Sequence, residues 1–333
     1  MLSEQDIRRL KFEICSGNPA RIKESLVFAR NYGPLLDEFY LDLIKCTEFY
    51  ENWYKELFTI SKFFAKVQEN GLTLSNLELK YVPNCFSCLS FCLEKIDISQ
   101  NKLTEFPLWL LECKDLKSID VHDNQIIHFP EELFQLSKLE EIRVQNNLDF
   151  RIHQKIRHLQ SVKKIHVTVF NENEKWDMRH FKFLSEIQLE IKTKKYVLDD
   201  FQFPAQLKFL GIKGNPSYLI IHDFNAFQSL MHIELKQLEV EISSKFPALK
   251  SIIQVKLDQI KNSVPLENWV YSCPHIEELI LGKETESFLR PTLRNLEMLK
   301  HIYIEFQVNP EEKLLWEKRI YSWFPRIQLF WEN

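Results

Sequence analysis

Leu93-Glu94-Lys95-Ile96-Asp97-Ile98-Ser99-Gln100-Asn101-Lys102-Leu103 decides the fold. The same arrangement returns further on as Leu116-Lys117-Ser118-Ile119-Asp120-Val121-His122-Asp123-Asn124-Gln125-Ile126. Apolar residues hold the first, fourth, sixth and eleventh positions, and asparagine holds the ninth. Both copies run on into a Phe-Pro pair, Phe106-Pro107 and Phe129-Pro130. The fourth and sixth positions share one face of a short strand, because side chains alternate along it. The asparagine can satisfy the backbone groups left bare where the strand turns away. One such unit cannot bury its own apolar face, so the units must stack.

The register extends along the chain. Apolar starts fall at Leu74, Leu93, Leu116, Leu139, Val162, Leu184, Leu207, Leu230, Ile252, Ile276, Leu299 and Phe324. The steps keep close to one length, and none is long enough to hide an inserted domain. Asn101, Asn124, Asn147 and Asn215 occupy the ninth position of their units. Elsewhere it is Val82, Phe170, Lys192, Leu238, Ile260, Glu284 or Gln307, so those turns must close differently. Phe170, Leu238 and Ile260 point to packing in place of an asparagine. The pattern L-x-x-L-x-L-x-x-N-x-L resembles the leucine-rich repeat family, in its 23-residue bacterial or cytoplasmic type. The resemblance implies an α/β solenoid: a curved parallel β-sheet on one side and a second apolar layer on the other. Length alone, at about 150 residues per domain, suggests two domains. The repeat predicts instead one stack of about 11–12 units over 73–333, preceded by a helical N-terminal cap over 1–72.

The segment 1–72 lacks the repeat. Ser3 with Asp6, Asn18-Pro19 and Pro34 read as helix openings, and a further helix carries Trp53 to Val67 before Asn70-Gly71. This bundle is expected to cover the exposed end of the stack. At the other end Trp316, Tyr321, Trp323, Phe324, Phe330 and Trp331 crowd together. They read either as an aromatic cap or as a self-association surface. In the second case 327–331 forms a last strand whose open edge pairs with another copy, giving a homodimer.

Composition excludes several classes. The chain has 333 residues, 45% hydrophobic and 27% charged, with a net charge of -4. Nothing there demands nucleic acid or an anionic membrane as partner. Six glycines cannot write the usual phosphate-binding loops, and none sits in G-x-S-x-G. No H-E-x-x-H and no recognised Cys–His arrangement is present. The N-terminus lacks the apolar core of a signal peptide, and no apolar run reaches the roughly 18 residues of a membrane span. Seven cysteines, an odd number spread thinly, fit a reducing compartment, and the expected location is cytoplasmic. Cys85, Cys88 and Cys92 cluster, with Cys113 as a conceivable fourth thiolate. They read as an incomplete zinc pattern or as small buried residues in a turn. No metal, cofactor or catalytic residue is expected.

The strand face is the candidate surface. Fifth positions read Glu78, Asp97, Asp120, Arg143, His166 and onward to Tyr303 and Gln328; two places later come His122 and Gln145. Glu78, Asp97, Asp120 and Asp123 form an acidic cluster, followed by Arg143, Lys164 and His166. A less polar patch combines Phe209, Gly211, Ile280, Gly282 and Tyr303, where glycine would let a partner approach the backbone. The partner-binding candidates are therefore Glu78, Asp97, Asp120, His122, Arg143, Gln145, His166, Phe209 and Tyr303. The alternative is a merely solvated sheet face, or a slipped register that buries the second patch. The expected function is a non-enzymatic scaffold binding a protein or peptide on the concave face. The other reading is a bacterial effector acting on a host protein through the same face.

Overall fold

A computed structural model describes residues 34–57, 59–147, 159–173, 175–221, 227–242, 249–261 and 264–331, with isolated positions between 9 and 27. The helices expected over 1–33 lie largely outside the described residues. The fold class is an α/β leucine-rich repeat solenoid. The chain divides into two compact units, Met1–Leu159 and Gln160–Asn333, and each carries repeats of its own.

In the first unit, α1 (Pro34–Tyr54) buries Phe39, Leu43, Cys46 and Tyr50, one face at helical spacing. Helix α2 (Ile60–Asn70) opens on Thr59, whose hydroxyl accepts from the Lys62 N–H, and buries Phe63, Phe64 and Val67. Tyr50 meets Phe63 edge-on at 5.0 Å and donates its hydroxyl to the Thr73 carbonyl at 3.1 Å. The helices are thereby fixed to the first strand.

Four short parallel strands follow: β1 (Leu72–Thr73), β2 (Lys95–Asp97), β3 (Ser118–Asp120) and β4 (Glu141–Arg143). Leu72 lies opposite Ile96, Ile96 opposite Ile119, and Ile119 opposite Ile142. The second and third of these steps are equal in length, and the first is longer by a single position. The expected start at Leu74 is corrected. The Leu74 N–H bonds the Asp97 carbonyl as the Ile98 N–H bonds that of Asp120, so Leu74 occupies the sixth position of its unit. Helix α2 takes up the chain that the first half of that repeat would use.

Buried asparagines close the turns. The Asn124 Oδ1 accepts from the Leu103 N–H at 3.0 Å, and its Nδ2 donates to the carbonyls of Ile98 and Val121, each at 3.0 Å. Asn101 and Asn147 do the same one repeat before and after. The residue before each asparagine, Gln100, Asp123 or Asn146, has positive φ. The return segments carry 3₁₀ helices after prolines, at Asn84–Leu89, Leu108–Glu112 and Glu131–Gln135.

The second unit is built on longer strands. They are β5 (Lys164–Val169), β6 (Trp176–Asp177), β7 (Glu186–Ile191), β8 (Lys195–Val197), β9 (Phe201–Gln202), β10 (Phe209–Ile221), β11 (His232–Ile242), β12 (Gln254–Lys261), β13 (Glu278–Leu281), β14 (His301–Ile304) and β15 (Gln328–Trp331). Ile165, Ile187, Leu210, Ile233, Val255, Leu279, Ile302 and Leu329 stand in parallel register. Strand β8 pairs with the second half of β10, and β6 pairs separately with β9. Aromatic side chains fill the return side: Trp176 stacks on Phe201 at 5.7 Å, and Phe201 on Phe203 at 4.5 Å. Helix α3 (Val264–Ser272) and helix α4 (Pro310–Trp323) lie in later returns. Asn309 and Glu312 form a reciprocal capping box at the start of α4, with Pro310 at the first helical position.

Two expectations change here. The helical insert lengthens the last step, so Phe330 and not Gln328 stands opposite Tyr303. Asn215 is exposed within β10 and closes no turn. The register there shifts between Lys213 and Ser217, and the buried Ser217 hydroxyl donates to the Ile191 carbonyl at 3.1 Å. Leu238 and Ile260 are buried in the ninth position, each after a glutamine of positive φ, whereas Phe170 is exposed.

Candidate partner-binding faces

In the first unit Asp97, Asp120 and Arg143 stand side by side on β2, β3 and β4. Each aspartate folds back over its own strand end. Asp97 Oδ1 accepts from the Ser99 N–H at 3.0 Å and the Ser99 hydroxyl at 2.6 Å. Asp120 Oδ1 accepts from the His122 N–H at 3.1 Å and lies 2.6 Å from His122 Nδ1. Such Asx closures fix a carboxylate without a distant partner. Asp123 Oδ2 lies 3.7 Å from His122 Nε2, and Arg143 Nη1 lies 3.7 Å from Asp120 Oδ2. Arg143 is held from its other side by Glu141 at 2.8 Å.

His122 thus sits among three aspartates. The hydrogen bond to Asp120 lifts its pKa above the usual imidazole value. Burial opposes the shift, and the charges of Asp120, Asp123 and Asp97 add to it. Gln145 continues the His122 row. Its Oε1 is buried and accepts no hydrogen bond among the described residues. Glu78 does not join the row. It is exposed in the turn beyond β1, at φ 55°, paired with Lys102 at 3.2 Å. Its displacement follows from the shifted register of the first repeat.

The second unit holds the other three candidates. His166 is on β5 opposite Gln188, but it is buried, with Nε2 3.6 Å from Glu186 Oε1. Alternation along the strand assigns it an outward face; the structure buries both faces of β5. Phe209 is half-buried on β10. A Cβ added at Gly211 would meet its ring at 3.2 Å and the Gln188 side chain at 3.3 Å. At Gly282 an added Cβ would meet Asp258 Cβ and Cγ at 2.7 Å. Asp258 also accepts from the Lys283 N–H at 3.0 Å. The two glycines therefore make room for neighbouring side chains of this chain, and the expected bare backbone is covered.

Charges on this second face pair with one another. Lys164 meets Glu186 at 2.8 Å, Lys192 meets Glu190 at 2.8 Å, Lys236 meets Asp258 at 3.0 Å and Lys256 meets Glu305 at 2.9 Å. Burial is the largest single influence on Lys256 and works against its charge, yet the Glu305 hydrogen bond and the charges of Glu305, Glu234 and Asp258 together outweigh it and raise the pKa. Tyr303 on β14 stacks on Phe330 at 4.7 Å and 11°, with His301 against the Phe330 ring at 6.0 Å. Phe330 is 43% exposed. Sequence reasoning put it two places out of that row. The capping-box pattern at Asn309-Pro310-Glu311-Glu312, read as a helix start, would have signalled the longer step.

Among the described residues no group of three or more His, Cys, Asp or Glu is arranged to hold a metal ion. Cys92 turns its thiol to the Leu89 carbonyl at 3.5 Å. The Cys113 thiol is buried against the Trp109 carbonyl, and burial pushes its pKa up to about 12. No helix among the described residues is long and apolar enough to cross a membrane.

No protein-family model and no curated protein matches the chain. Solved structures similar to it include the functional domain of InlJ from Listeria monocytogenes, at 14% identity and a TM-score of 0.44. That match covers 66% of this chain and 46% of the InlJ domain, less than half its length. An internalin, inlF, of the same organism matches at 14% identity over 75% of this chain and 78% of its own, with a TM-score of 0.43. A leucine-rich repeat protein of Leptospira interrogans matches at 16% identity over 80% and 97%, with a TM-score of 0.28. At such scores the assignment stands on this chain's own geometry. With its asparagine-closed turns and parallel strands in repeating register, the chain has the leucine-rich repeat fold.

Proposed function

We propose that the chain is a non-enzymatic scaffold that binds a protein or peptide through its strand faces. The observation that carries this reading is the Asp97–Asp120–Asp123 group around His122, with Arg143 at its margin. Its carboxylates are held in place by local hydrogen bonds before any partner arrives, which lowers the ordering cost of binding. Asp120 is largely covered by this network while Asp123 stays open. A partner presenting a basic side chain beside an acidic one suits that face, the acid meeting Arg143. On the second unit, the Tyr303–Phe330 stack offers an aromatic anchor of the kind that dominates interfaces. Gln145 lies beside the first group. In this reading α1 and α2 cover the end of the repeats.

Affinity capture from the native cell with the intact chain and with a D97N/D120N/R143Q triple variant tests the first face. Partners recovered by the intact chain should be lost or reduced at least tenfold with the variant. Equal recovery of every partner would sink the site. A Phe330→Ala variant tests the aromatic stack in the same way.

A further inference from the structure

Helix α4 turns one side to the repeats and the other outward. Its inner side carries the buried Ile320 and packs on the 3₁₀ helix Pro291–Asn295. Arg294 donates to the Ser322 carbonyl at 3.4 Å, and the Lys313 ammonium lies 5.4 Å from the centre of the Trp331 ring. At about 100° per residue, Lys313 and Trp316 flank Ile320, and Glu311, Leu314, Leu315 and Lys318 gather on the opposite side. All four are exposed, Leu314 at 53% and Leu315 at 49%. Tyr321, 43% exposed, extends the same apolar strip.

The charges give this strip a direction. Glu311 stands one turn before the leucines and Lys318 one turn after, roughly 10 Å apart along the axis. That is too far for an ion pair within the helix, and neither has an ion-pair partner among the described residues. Both are satisfied by a surface with the opposite order of charges around an apolar centre. A second α4 running antiparallel has that order. With a two-fold axis between positions 314 and 315, Leu314 meets Leu315 of the second copy and Glu311 meets its Lys318, each contact occurring twice. Antiparallel helices also bring opposite dipole ends together.

We propose that two copies of this chain associate through α4, packed antiparallel about a two-fold axis between Leu314 and Leu315. The leucines form the apolar centre, and the two Glu311–Lys318 pairs form the rim and fix the register. The contact uses one patch twice, so it closes at the dimer. The helix has 14 residues and spans about 21 Å. Its outward face is smaller than a standard interface, and the dimer is therefore weak and reversible. This surface is distinct from the open edge of β15.

Sedimentation velocity of the intact chain, from low to high micromolar concentration, tests the proposal. Monomer should pass into dimer with rising concentration. Leu314→Lys should abolish the dimer over that range. Glu311→Lys and Lys318→Glu should each weaken self-association at least tenfold, because like charges then meet at both ends. Mixed in equal amounts, these two variants should pair with each other, since one presents two lysines and the other two glutamates. Recovered pairing also shows that both variants are folded. An intact chain that stays monomeric throughout overturns the proposal. A dimer that withstands both charge reversals overturns it too, and assigns self-association to the β15 edge or another surface. So does a mixture of the two variants that fails to pair.

Discussion

The two units close the same turn in different ways. In Met1–Leu159 the strands β2, β3 and β4 are short, and a buried asparagine binds the backbone where each ends. In Gln160–Asn333 the strands β10, β11 and β12 run to 13, 11 and 8 residues. There Ser217, Leu238 and Ile260 stand in register with one another. The left-handed residue before the turn survives, as Gln237 and Gln259. Every buried backbone donor and acceptor needs a partner. An asparagine side chain supplies one in the first unit, and a prolonged backbone ladder supplies it in the second. An apolar residue can then replace the asparagine, because no backbone group there waits for an amide.

The hardest way to break this comparison is to exchange the devices. Asn124→Leu should cost about 2–4 kcal/mol, since it strands the Leu103 N–H at about 1–3 kcal/mol and takes one amide donor from each of the Ile98 and Val121 carbonyls, which keep those of Asn101 and Asn147. Urea unfolding of the intact chain reads this, and a loss below about 1 kcal/mol would mean that water can take the place of the amide. The converse, Leu238→Asn, should cost about 2–3 kcal/mol by burying an amide among groups already paired. A neutral result would show unpaired backbone at that turn and remove the distinction.

Smaller effects sharpen the contrast between the strand faces. Gly282→Ala should cost about 1–3 kcal/mol, because Asp258 must move from the added methyl. In an Asp258→Ala background the same change should cost much less. An additive double-mutant cycle would show that Asp258 is not what requires the glycine. The least is expected of His122. Its folded pKa is raised, so the stability it adds is fully present below the unfolded imidazole pKa and fades as pH rises through the folded value. NMR titration of the histidine ring should place its midpoint above that of free imidazole, and Asp120→Asn should bring it down. An unshifted midpoint in Asp120→Asn would assign the effect to Asp97 and Asp123.

Much of this was legible in the sequence. The row Asp97, Asp120, Arg143 follows from counting, because the repeats that carry it are equal in length and the strands pair in that register. The same counting misplaced Glu78 and Gln328. Both lie where a helix, α2 or α4, stands in for part of a repeat and changes the step. His166 was misread for another reason: alternation assigns a face but does not say whether that face is open.

The sequence by itself determined the strand-and-return unit, the direction of apolar side chains, and the asparagines that end three of the strands. These are properties of a period, and a period is local to the chain. Only the tertiary structure decided which charges neutralise one another and which glycines are filled by neighbours. Parallel strands stand about 4.8 Å apart, so side chains reach across to the next repeat. What a residue touches there depends on the length of every return between, and a single inserted helix changes it.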